Sequence, residues 1–94
     1  MNESKFIAYL REVAKNDDGT PLVKGSQKTV LSNIKTSIPQ ELHIDSLFEI
    51  EDINTLRSYY NKIDGTFFNT KRKYSPTYAL KHYLNFIYYQ RSTK

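Results

Sequence analysis

Apolar residues fall at three- and four-residue spacing in four separate stretches, and no stretch alternates strictly, so the chain must build its core from helices. Ala79, Leu80, Tyr83, Leu84 and Ile87 form the clearest face, with Ser75 and Pro76 supplying an N-cap and a proline at the first helical position. Phe6, Tyr9, Leu10, Val13 and Ala14 define a first helix from about Glu3 to Lys15, capped by Asn2 or Ser4 and stopped by Asn16-Asp17-Asp18-Gly19. A second helix is expected after Gly25 with Ser26 as its cap, a stripe of Val30, Leu31, Ile34 and Ile38, and a stop at Pro39. Leu42, Ile44, Leu47 and Ile50 read as anchors of an irregular connector. Asp52 caps the third helix, which carries Ile53, Leu56, Tyr59 or Tyr60, and Ile63 and ends at Asp64-Gly65.

A recurring set of marks organises these pieces. Ile7, Leu10, Arg11, Asp18, Gly19 and Thr20 reappear at constant offset as Ile53, Leu56, Arg57, Asp64, Gly65 and Thr66. After each Asp-Gly-Thr come a loop, a serine and another helix. The expected architecture is therefore all-α: four main helices packed as two helical hairpins in one domain spanning 1–94, with an irregular connector before the third helix. Two readings of the marks stay open, namely related hairpins or the shared chemistry of helices and turns.

Composition narrows the function classes. The chain has no cysteine, which excludes disulfides and thiolate metal sites. Its two histidines, His43 and His82, have no partner at ligand spacing, and no glycine-rich elbow or phosphate-cradling loop is present among three glycines. The expectation is a protein that is not an enzyme, with no cofactor, no metal and no small-molecule substrate. Apolar stretches are too short to cross a bilayer and no leader pattern opens the sequence, so a cytoplasmic location without membrane contact is expected.

Fourteen Lys and Arg against ten Asp and Glu leave a net charge of +4. That excess permits contact with phosphate without requiring it. Lys71-Arg72-Lys73-Tyr74-Ser75 precedes a helix start, joining three cations, an aromatic face and backbone N–H groups, each a partner for phosphate. Lys24, Ser26 and Lys28 repeat the arrangement at the second helix, and the two loops side by side would reach one duplex backbone. His82 is expected as an exposed helix residue or as a neighbour of phosphate. Eight tyrosines and five phenylalanines offer a different surface: Tyr60, Phe67, Phe68, Tyr88 and Tyr89 are candidate contacts for a protein partner.

The stretches Phe6 to Val13, Gly25 to Leu31, Asp52 to Tyr60 and Tyr74 to Phe86 together resemble the four-helix, SAM-like core-binding domain that lies N-terminal to the catalytic domain of tyrosine recombinases and phage integrases. The phrase Ala79-Leu80-Lys81-His82-Tyr83-Leu84-Asn85-Phe86 is also similar to the end of N-terminal helical modules of bacterial restriction endonucleases. The resemblance implies a clamp on the DNA backbone that leaves chemistry to another domain, in recombination or restriction. The alternative is a small phage or mobile-element protein that binds a protein partner through its exposed aromatics.

Overall fold

The computed structural model describes residues 2–92 and is all-α. Its elements are α1 (Glu3–Glu12), α2 (Lys24–Ser32), a π-helical turn (Asn33–Ser37), α3 (Ile38–Leu42), α4 (Ile53–Ile63), α5 (Phe67–Lys71) and α6 (Ser75–Ser92). Extended pairing among the described residues is limited to an antiparallel bridge between Lys15 and Pro21.

α1 ends at Glu12, short of the expected Lys15, because the Val13 and Ala14 N–H groups both turn back to the Tyr9 carbonyl. The chain then reverses through Gly19, whose φ of +85° only glycine adopts cheaply. The Asp18 carboxylate locks this turn by accepting from the Thr20 hydroxyl at 2.6 Å and its amide at 3.0 Å, which holds Asp18 below the usual carboxylate range. Gly65, its counterpart in the repeated marks, has the same φ of +85°.

Two expectations about the second helix need correction. It begins at Lys24 after an extended, uncapped Val23, so Ser26 lies inside the first turn and is not the cap. Buried Leu22 fixes where the chain enters, and the Gln27 side-chain amide donates to its carbonyl at 2.9 Å. Pro39 does not end the helix either. The backbone widens into a π-turn ahead of it, with the Ile38 N–H reaching the Asn33 carbonyl, and the helix continues to Leu42. A proline ring clashes with the carbonyl four residues back in regular α-geometry, and the wider turn relieves that clash while keeping Ile34 and Ile38 buried.

The connector from His43 to Asp52 is irregular, as expected. Leu47 and Phe48 are buried in it, and Tyr83 donates its hydroxyl to the Leu47 carbonyl at 3.0 Å. Asp52 caps α4 through the Thr55 amide at 3.1 Å. The stretch after Gly65, expected as a loop, contains the short helix α5, started by the Thr66 hydroxyl accepting from the Asn69 amide.

α6 is the central element and packs against α4, α2 and the π-turn. Pro76, Thr77, Ala79, Leu80, His82, Tyr83, Phe86 and Ile87 are all buried along it. The core is one cluster whose aromatic centre is Phe6, Tyr9, Phe48, Tyr83 and Phe86; Phe6 meets the Tyr83 ring edge-on at 5.1 Å. Such pairs add about 0.5–1.5 kcal/mol each beyond the area they bury.

Candidate nucleic-acid interface

The corner between α5 and α6 gathers most of the cations that the sequence singles out. Lys71 is the last residue of α5, and Arg72, Lys73 and Tyr74 form the turn into α6. Lys73 and Tyr74 are both left-handed, with φ of 54° and 65°. A non-glycine residue held there costs about 1–2 kcal/mol. The turn is fixed by backbone bonds from Lys73 N–H to the Thr70 carbonyl at 3.0 Å and from Tyr74 N–H to the Asn69 carbonyl at 2.9 Å.

The consequence is a row of side chains that face solvent. Phe67 is 78% exposed and Tyr74 61%, and the three cations between them are exposed as well. None of Lys71, Arg72 and Lys73 forms an ion pair among the described residues, whose two ion pairs are Lys35–Glu3 and Lys81–Asp17. The Arg72 guanidinium stacks 5.0 Å from the Phe68 ring and donates to the Ser37 hydroxyl at 3.4 Å, which positions it. Phe67, Phe68, Lys71, Arg72, Thr66 and Glu41 line a shallow hollow of about 520 Å³ beside this row.

The start of α6, expected to offer free N–H groups to an anion, is closed. Ser75 N–H goes to the Arg72 carbonyl, Pro76 has none, Thr77 N–H goes to Asn69 Oδ1 at 3.2 Å and Tyr78 N–H goes to the Tyr74 carbonyl. Ser75 is half-buried, with its hydroxyl accepting from Asn33 Nδ2 at 3.4 Å. An anion at this corner would therefore meet side chains and no free backbone N–H of the α6 start. Asn69, fully buried, caps α6 from α5; sequence reasoning missed it, because its Oδ1 accepts from Thr77 eight residues on, outside the range of a local capping motif.

Lys24, Ser26 and Lys28 are not beside this corner. α6 runs back along α2: Ser75 sits by Asn33 at the far end of α2, while Tyr78 and Lys81 reach Asn16 and Asp17 ahead of its start. Nine residues of helical rise, about 14 Å, separate Lys24 from Asn33. Ser26 is half-buried. The N–H groups of Lys24, Gly25 and Ser26 meet no acceptor among the described residues, so this helix start is the open one.

His82, expected on the surface, is buried at 4% exposure. The Tyr78 ring meets it edge-on at 4.7 Å, and its Nδ1 has no hydrogen-bond partner among the described residues. Burial, aided by the Lys81 ammonium and opposed by Asp17, pushes its pKa below 6.5 and keeps the imidazole neutral. A neutral buried ring is no phosphate ligand, so His82 leaves the candidate site.

The aromatic set does not form one surface. Phe67 and Phe68 lie on α5; Tyr88 and Tyr89 lie thirteen or more residues along α6 from Ser75, about 20 Å of rise away. Tyr60 and Phe68 are half-buried, Tyr88 takes a hydrogen bond from Arg57, and Tyr89 packs against Tyr9. Among the described residues no three His, Asp or Glu side chains converge.

No protein-family model, curated protein or solved structure matches this chain.

Proposed function

We propose that this chain is a non-catalytic module that binds DNA through its phosphate backbone, with the α5–α6 corner as the contact. The observation that carries the reading is the row Phe67, Lys71, Arg72, Lys73 and Tyr74: three cations outside any ion pair among the described residues, flanked by two exposed rings. Cations that track phosphates beside rings that stack on bases are the chemistry of single-strand recognition. An unpaired stretch of DNA is accordingly the favoured ligand, and the rings contribute no sequence preference. The resemblance to SAM-like core-binding domains of recombinases, and to helical modules of restriction endonucleases, implies a DNA clamp that leaves chemistry to another domain. The all-α architecture supports that reading at the level of fold class. A protein contact through the exposed aromatics is the weaker reading, because Phe67 lies on α5 ahead of the start of α6, while Tyr88 lies near the end of α6.

Fluorescence anisotropy with a labelled oligonucleotide tests the proposal. Three phosphate contacts predict that affinity for a single strand falls about 20-fold between about 50 and 200 mM salt. The triple variant K71A/R72A/K73A should lose binding and most of that salt dependence, and F67A/Y74A should weaken binding without changing the salt slope. A triple variant that binds like the parent chain would sink the proposal, as would absence of binding to any oligonucleotide at low salt.

A further inference from the structure

Away from the α5–α6 corner, a groove of about 460 Å³ opens between α1 and α2, lined by Ile7, Leu10, Arg11, Lys24, Gln27, Lys28 and Leu31. Its size is that of a ligand cleft. The lining follows helical spacing on both sides: positions 7, 10 and 11 on α1 and positions 24, 27, 28 and 31 on α2 each form one face. The floor is aliphatic, with Leu10 buried and Ile7 and Leu31 half-exposed to the groove. Among the described residues no carboxylate and no aromatic ring lines it.

Three cations rim this floor, and none of them is in an ion pair among the described residues. Arg11 is informative because its counterpart in the repeated marks, Arg57, is occupied: it donates to the Tyr88 hydroxyl and lies 5.9 Å from that ring. Gln27 is tied to the Leu22 carbonyl, so it forms a fixed wall. The open first turn of α2, with its unpaired N–H groups, adds partial positive charge at the Lys24 end.

We infer that the α1–α2 groove docks a short acidic amphipathic helix of a partner protein, its aliphatic side chains on Ile7, Leu10 and Leu31 and its carboxylates on Arg11, Lys24 and Lys28. Charge complementarity selects an acidic occupant, and an aliphatic floor without rings suits the aliphatic side chains of a helix better than bases, which stack on aromatic faces. A helix laid in such a groove is read through anchors at i, i+3, i+4 and i+7. Lys24 and Lys28, which the sequence groups with the phosphate-binding residues, thereby belong to a second surface.

The probe is a fluorescein-labelled peptide of about 16 residues with leucine at i, i+3, i+4 and i+7 and glutamate on the flanking positions. The whole chain should bind it, with amide shifts in a ¹⁵N-correlated spectrum confined to residues 7–11 and 24–31. The charge-reversed variant R11E/K24E/K28E, checked for folding by circular dichroism, should bind it at least about tenfold more weakly and should bind the lysine counterpart of the peptide instead. K71A/R72A/K73A should bind the acidic peptide like the parent chain, which separates this site from the DNA contact. The inference is overturned if the acidic peptide shifts no amide in those stretches, or if charge reversal does not switch peptide preference. It is equally overturned if a single-stranded oligonucleotide or a vesicle of anionic phospholipid displaces the peptide from the groove. A parent chain that self-associates through the groove, seen as a sedimentation change in the charge-reversed variant alone, also overturns it.

Discussion

His82 carries the clearest consequence at the scale of single residues. Its folded pKa lies below the ordinary 6.5, because burial disfavours the cation. As pH falls below 6.5 the unfolded chain takes up the proton first, so the unfolded state binds more protons and gains stability. Stability that is full above about pH 6.5 therefore declines as pH drops through the window between 6.5 and the folded value. The expected outcome is a lower urea midpoint at about pH 5 than at about pH 7.5, with His82→Gln flattening that difference. A midpoint equally pH-dependent in His82→Gln would show that another group is responsible. The burial of His82 was legible in part. Tyr78 and Phe86, four residues to either side, share its face, and Phe86 is as buried as the main stripe. A single apolar stripe understates α6 because this helix is packed on several sides, and sequence periodicity does not reveal how many neighbours a helix has.

Elements differ in how openly the sequence declares them. Asp52 and the two Asp-Gly turns were readable because each acts through bonds to residues two or three positions away. Pro39 misled because the remedy for its ring clash is a change of helix type over the preceding turn, which leaves no local mark. α5 was hidden for a different reason: five residues are too few to show a period, and the helix exists because Asn69 is held in the core, where it caps α6. The corner beyond it was legible as charge but not as shape. Its two left-handed residues set a testable opposition between stability and binding. Lys73→Gly removes the strain of φ 54° at the cost of glycine's greater chain entropy, for a net gain of about 0.5–1 kcal/mol. The expected outcome is a melting temperature higher by roughly 2–8 °C together with weaker binding to single-stranded DNA. A variant that melts no higher would mean that the turn holds no strain.

Over the whole molecule, charge is divided between two surfaces set along one helical rod from Lys24 to Leu42: the α1–α2 groove at its start and the Arg72 contact with Ser37 near its end. The repeated marks foreshadowed this division, since they place one basic segment in each half of the chain. What they concealed is direction, because α6 runs back along α2 and carries the two segments apart. The same packing brings Tyr83 from the middle of α6 onto the connector, where its hydroxyl bonds the Leu47 carbonyl. Burial raises that phenol to about 12 from its ordinary 10.0. A raised folded pKa means that its contribution is complete below pH 10 and drains away as pH climbs towards 12. In an ultraviolet absorbance titration, Tyr83→Phe should remove the phenolate signal that arises near pH 12, and unfolding in urea should move that signal back to the ordinary range. In a chain without tryptophan, this hydroxyl is then both a latch and an optical gauge: alkali opens it, and the ultraviolet absorbance that Tyr83→Phe removes from the combined signal of eight tyrosines reports that the connector has come away.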